Sequence, residues 1–229
     1  MDKLNVIYED NHIIVVIKPQ NIPTQGDESG DVDMLTIVKA YIKEKYNKSG
    51  DVFVGLVHRL DRPTGGVMVF AKTSKAATRL SEQIRNNEMS KKYLAITSAV
   101  PKEPRKQLVN HLLKNAKTNS VSVVPELTEN AKRAVLCYNL LEVQNKFALL
   151  DVDLETGRSH QIRVQLKHIG CPIVGDVKYG GVNIKSPLAL WAYELKFTHP
   201  TLKDKMTFRV FPPIENAPWN MFNIQKYIK

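Results

Sequence analysis

Apolar residues along this chain fall into two rhythms, and those rhythms predict most of its elements. Asn5–Tyr8 and Ile13–Ile17 are β-branched runs of strand length around the polar turn Glu9-Asp10-Asn11. Lys18-Pro19 closes the second run, because proline has no N–H with which to continue a ladder. A Pro/Gly/Asp-rich loop follows from Asn21 to Asp33. The spacing then changes to three and four. Met34, Leu35, Val38, Tyr41, Ile42 and Lys45 predict a helix to about Tyr46, capped by Asp33 and stopped by Asn47–Gly50. Ala77, Leu80 and Ile84 predict a second helix to about Asn86, facing inward and capped by Thr73 or Ser74. Between the helices, the apolar runs Phe53–Val57 and Val67–Ala71 flank a polar loop.

Four further strand-like runs follow: Lys92–Thr97, Gln107–Leu113, Arg133–Leu141 and Phe147–Leu154. Pro101–Val124 holds two runs around Lys114–Ser120, the pattern of an excursion hairpin. A short helix is expected from about Ser159, its N-cap, to Ile169, with Ile162, Leu166 and Ile169 as its apolar stripe and Gly170 at C′. Strands near Leu188–Ala192, Glu194–Thr198 and Met206–Val210 come next. A last helix, Pro218–Tyr227, opens on proline, whose missing N–H costs nothing there. Strands outnumber helices and hairpins connect several of them, which predicts an α+β mixed sheet rather than βαβ alternation. No linker or repeat divides the sequence, so one domain over residues 1–229 is expected.

Composition narrows the class. With 43% hydrophobic residues the 229-residue chain is in the globular range, which excludes global disorder. No apolar run reaches the roughly 20 residues that span a bilayer, and no signal-type h-region opens the sequence. A soluble, cytoplasmic protein without a membrane partner is expected. Cys137 and Cys171 are too few for a disulfide framework and are expected as reduced thiols. Without CxxC or HExxH, and with scattered histidines, no metal site is expected. The net charge is +10, and Lys72–Lys117 supplies most of it, with 11 Lys/Arg against three acids. Such a stretch suits a polyanion partner, although a solvated basic face has the same composition.

Two polar islands carry the candidate chemistry. Val57-His58-Arg59-Leu60-Asp61-Arg62-Pro63-Thr64-Gly65-Gly66 sets a carboxylate between two arginines, whose proximity favours its charged form. A sheltered carboxylate there can serve as nucleophile or base, while an Asp61 pair with Arg59 or Arg62 that merely holds a turn fits the same residues. Gly157-Arg158-Ser159-His160-Gln161-Ile162-Arg163-Val164 opens a helix, a natural seat for phosphate. It places His160 and Arg163 on one face. A surface salt bridge for Arg163 and a hydrogen-bonded spacer role for His160 remain equally open at this point.

In this order and about a hundred residues apart, the islands strongly resemble the signatures of the RluA-type pseudouridine synthases, which modify ribosomal and transfer RNA. The first stands as HRLDRPTGGVMVFAK, with Gly65 in place of the usual serine. LNVIYEDNHIIVVIKPQNIPT at Leu4–Thr24 is similar to the family's opening strand pair and Lys-Pro loop, and KKYLAI at Lys91–Ile96 to its tyrosine strand. GRSHQIRVQLKHIGCPIVGDVKYGG at Gly157–Gly181 resembles its second long motif, with Gln165 where histidine is common. LWAYELKFTHP at Leu190–Pro200 resembles its late strand, with Trp191 replacing a histidine.

The resemblance implies a curved, mixed and largely antiparallel sheet with flanking helices and a central active-site cleft. It implies a single catalytic domain in this sequence, with no S4-like RNA-binding domain before it. Asp61 is implied as the essential carboxylate and Arg163 as its partner. Tyr93 would stack on the extruded uracil and is a candidate for proton transfer. Arg59 would fill the gap left by the base, and Ile162 would wall the pocket. Arg62, Thr64, Lys91, Lys92, Arg158 and His160 complete the expected RNA and base contacts. The implied partner is a structured RNA, a ribosomal or transfer RNA stem-loop, acted on by a monomer without metal or cofactor. Two other readings fit parts of the pattern. One is a non-catalytic RNA-binding module. The other is a hydrolase of nucleosides or glycosides, for which Glu155 or Asp176 would supply the second carboxylate.

Overall fold

A computed structural model describes residues 4–182 and 185–228. In chain order its elements are β1 (Asn5–Glu9), β2 (Ile13–Lys18), α1 (Met34–Lys45), β3 (Gly55–Leu56), β4 (Gly65–Ala71), α2 (Ser74–Arg85) and β5 (Ser90–Thr97). They continue with β6 (Arg105–Asn115), β7 (Ser120–Val124), β8 (Lys132–Gln144), β9 (Phe147–Leu154), α3 (Gln161–His168), β10 (Leu190–Thr198) and β11 (Lys205–Arg209). The fold is α+β and largely antiparallel. It resolves into two compact units, each drawn from two stretches of chain. Met1–Met89 joins Glu194–Val210 in the first, and Ser90–Tyr193 joins Phe211–Lys229 in the second.

In the first unit β2 lies antiparallel to β1 on one side and to β4 on the other, pairing Ile13 with Ala71 and Lys18 with Gly66. All seven residues of β4 are buried, as a strand covered on both faces requires. Helix α1 starts where its cap predicts, with Asp33 accepting the Thr36 N–H at 3.0 Å, and it buries Met34, Val38 and Ile42. Helix α2 is capped by Thr73, but its buried face is Ala76, Leu80 and Gln83 rather than Ala77, Leu80 and Ile84. The cause is tertiary. Gln83 donates to the Thr198 carbonyl and accepts the Thr198 N–H, both at 2.8 Å, so the helix turns its amide toward β10. The Phe53–Val57 run yields only the two-residue β3. There Gly55 lets α2 approach, since a Cβ would sit 2.8 Å from that of Ala77.

The second unit strings β5, β9, β8, β6 and β7 into one antiparallel order. The expected excursion is the β6–β7 hairpin, with Leu112 and Val121 packed against Ala134, Val164 and Tyr179. The two expected strands around residue 193 are one strand, β10, because every side chain from Leu190 to Leu195 is buried and nothing interrupts the run. The helix expected over Pro218–Tyr227 is instead two 3-10 turns, Trp219–Met221 and Ile224–Lys226, separated by extended Phe222. Its buried residues Trp219, Phe222, Ile224 and Ile228 are spaced three, two and four apart, which no single helical face accommodates.

Candidate active site

The main chain of the Asp61 loop is fastened at several points. Thr24 Oγ1 donates to the Leu60 carbonyl at 2.8 Å and accepts the Leu60 N–H at 3.3 Å. Gln20 Nε2 donates to the Pro63 carbonyl at 3.0 Å, and His58 Nε2 accepts the Val69 N–H at 3.1 Å. Lys18, fully buried, donates to the carbonyls of Pro19, Ile22 and Arg62 at 2.9, 2.6 and 3.0 Å. Burial pushes the Lys18 amine down to about 7, with the Asp61 carboxylate opposing that fall and Arg62 adding to it. The loop closes on itself when the Thr64 N–H donates to the Asp61 carbonyl at 2.9 Å.

That fastening distributes the expected contact residues unevenly. Arg59 and Arg62 are exposed and Asp61 is half-buried, whereas Leu60 and Thr64 are buried. Thr64 therefore belongs to the body of the turn. Arg62 bonds Ser29 Oγ at 3.0 Å and pairs with Asp31, exposed contacts that cost little to exchange.

The second island builds the start of α3. Gln161 Oε1 accepts the Thr156 hydroxyl at 2.8 Å and the Arg158 N–H at 3.0 Å, while its Nε2 donates to the Val135 carbonyl at 3.0 Å. The helix begins one residue later than expected. Its N-cap is His160, left-handed at φ 52° and without a side-chain cap bond, rather than Ser159. Residues Gln161 to Leu166 are all buried, so the stripe holds for Ile162 and Leu166 but widens around the helix, and Ile169 is only half-buried. Arg163 is not a surface bridge. Its Nε donates to Asp176 Oδ2 at 2.8 Å and its Nη2 to Oδ1 at 2.7 Å, a planar fork in which both partners are buried. Gln165 donates to the Leu108 and Ala134 carbonyls and to Asn110, which ties α3 to β6 and β8.

On β5, alternation puts Lys91 and Tyr93 on one face and Lys92 on the other. Tyr93 is buried; burial lowers the Lys91 amine from its usual value, and its Nζ lies beside Gly157. Lys92 pairs with Asp151 at 3.5 Å, which also accepts the Tyr193 hydroxyl at 2.9 Å. The basic stretch Lys72–Lys117 is divided, with four of its cations in the first unit and seven in the second. Lys72 is spent on Glu9 and the Asp10 carbonyl, and Arg79 on the Pro200 carbonyl. Lys75, Arg85, Lys102, Arg105, Lys106, Lys114 and Lys117 are exposed. Both cysteines are free thiols, which burial raises above their usual value; at Cys137 the Glu155 carboxylate adds to the rise.

Two residues of these sites escape a reading of the sequence for chemistry, and a third, Asp176, enters it only as a hydrolase's second carboxylate. Lys18 looks there like a strand end, and Tyr179 like an ordinary loop aromatic. Asp176 left a clear signal, as the single acid between Glu155 and Glu194 in a stretch rich in cations.

The HRLD turn lies in the first unit of an α+β body and the arginine helix in the second. Residues 12–168 match the RNA pseudouridylate synthase family, and the chain belongs to it. It is 30% identical over 219 residues to ribosomal large subunit pseudouridine synthase C of Buchnera aphidicola, covering 92% of this chain and 67% of that one. To ribosomal large subunit pseudouridine synthase D of Xanthomonas campestris it is 34% identical over 227 residues, covering 86% and 62%. The chain thus spans about two thirds or less of the length of these curated relatives. In fold it is similar to human RNA pseudouridylate synthase domain containing 4, with a TM-score of 0.79 at 24% identity over 98% of this chain and 94% of that one.

Proposed function

We propose that this protein isomerises uridine to pseudouridine in a structured RNA, with Asp61 as the catalytic carboxylate. The observation that carries the reading is the Asp61 turn itself. Its main chain is braced by Lys18, Gln20 and Thr24, so its position is fixed while the carboxylate stays half-exposed. Family membership supports the reaction class. The names of the relatives support ribosomal RNA as substrate, with transfer RNA as the second candidate.

The chemistry is an internal rearrangement. The N1–C1′ bond breaks, the uracil turns, C5 bonds to C1′, and the proton on C5 is lost as N1 gains one. Nothing is oxidised and no group donor is consumed. A stacked uridine must first be extruded, at a cost of a few kcal/mol. Arg59 is the candidate wedge for the vacated space, Tyr93 the stacking partner and Ile162 a wall of the base pocket. Arg163 supplies the fixed positive charge of the site. Arg62, Lys91, Lys92, Arg158 and His160 hold the flanking RNA and the base, while Thr64, expected among them, is buried and shapes the Asp61 turn. We read residues 1–229 as a single catalytic domain. No helix among the described residues is long and apolar enough to cross a membrane, and we assign the work to a monomer in the cytoplasm.

The hydrolase reading loses support at its second carboxylate. Asp176 is committed to Arg163 and to the Tyr179 N–H, and exposed Glu155 accepts from Gln107. Product analysis on a uridine stem-loop tests the proposal. An isomer of unchanged mass is expected, and free uracil would overturn the assignment. Mapping chemically labelled pseudouridines in cells with and without the gene then names the site.

A further inference from the structure

Tyr179 stands where three parts of the second unit cross. Its N–H donates to Asp176 Oδ1 at 3.2 Å, the oxygen that also accepts Arg163 Nη2. Its ring faces the Arg163 guanidinium, 5.0 Å from Cζ to the centroid, close enough for cation–π attraction. Its hydroxyl accepts the Val121 N–H of β7 at 2.9 Å and meets His160 Nδ1 at 2.6 Å. The hydroxyl thus joins β7 to the residue that precedes α3. His160 is the residue from which α3 departs, held in the left-handed region that a side chain rarely adopts.

The seat of this ring allows little movement. It is buried among Leu112, Val121, Ala134 and Val164. The loop around it is closed by the Gly181 N–H donating to the Asp176 carbonyl at 2.8 Å. Gly181 passes so near the Ile173 carbonyl that an added Cβ would lie 1.8 Å from its oxygen. Turning the ring would therefore disturb the hairpin, the Asp176 loop and the N-cap of α3 together.

We infer that Tyr179 is a positioning residue for Arg163. Its ring and its bond to Asp176 set the plane of the guanidinium, and its hydroxyl sets the start of the helix that carries it. The catalytic consequence rests on the role proposed above for Arg163. The test uses the full chain with Tyr179→Phe, which keeps the ring and loses the hydroxyl, and Tyr179→Leu, which loses both. Three quantities are measured: hydrogen exchange at Arg163 Nε–H by NMR, single-turnover isomerisation of a uridine stem-loop at saturating RNA, and RNA affinity. For Tyr179→Phe, Nε–H exchange should speed up and isomerisation slow by about ten-fold each, with affinity within about two-fold of wild type. Tyr179→Leu should approach Arg163→Ala in rate, and if it does not fold the phenylalanine variant carries the test. Wild-type exchange in Tyr179→Phe overturns the inference. If Arg163→Ala turns over normally, the catalytic role of Arg163 falls, and the exchange measurement still decides the positioning.

Discussion

The Asp61 turn and the Arg163 helix are held in opposite ways. Around Asp61 the bonds run to carbonyls and amides of Leu60, Arg62 and Pro63, from partners on the strand end and loop after β2. These bonds set the path of the turn's backbone. Arg163 is instead held by its own side chain, through both arms of a buried fork to Asp176. Main-chain fastening fixes a position without committing a charge. Side-chain fastening fixes the charge itself, and makes the fold depend on it. Losses should therefore appear as activity in the first region and as stability in the second.

The largest stability effect should come from Asp176→Ala. It takes a bidentate carboxylate away from a buried guanidinium, and urea unfolding should show a loss of about 3–5 kcal/mol. Lys18→Met should cost less, about 2–3 kcal/mol, because three carbonyls lose a donor while an amine already lowered to about 7 gives up little charge stabilisation. Its sharper mark is kinetic, an expected loss of about ten-fold in single-turnover rate at saturating RNA with Asp61 intact. An unchanged rate would break the comparison, since main-chain fastening would then serve the fold alone.

The smallest effect concerns Glu9, outside both islands. Burial pushes its carboxyl up, but hydrogen bonds from Lys45, Lys72 and Tyr46 outweigh that and bring it from 4.5 to about 2. A folded value below the unfolded one means stability that is complete above pH 4.5 and is lost as pH falls toward 2. Between pH 7 and pH 3, wild type should lose about 2 kcal/mol more than Glu9→Gln, read from urea melts at each pH. Equal losses would remove Glu9 as the acid-sensitive point.

What could be read in the sequence follows the range of the interactions. The caps at Asp33 and Thr73 and the starts of α1 and α2 are decided within four residues, and they stand where the pattern puts them. Gln83 on the buried face of α2 answers to Thr198, far along the chain, and no local rhythm reports that. The broken C-terminal helix and the left-handed His160 cap are likewise fixed by what their neighbours bury. Asp61 and Arg163 were legible as candidates because their motifs are local in sequence. Lys18 was not, because a lysine closing a strand reads as an exposed end until three carbonyls converge on it.

The central claim is that Asp61 carries the reaction, and Asp61→Asn tests it most directly because it keeps the shape and removes the charge. The measurement is single-turnover conversion of a uridine stem-loop to pseudouridine, with RNA affinity determined on the same preparation. RNA binding within about two-fold of wild type and isomerisation at background are expected, the pattern of a group acting in the transition state rather than in binding. Near-normal turnover by Asp61→Asn would contradict the account.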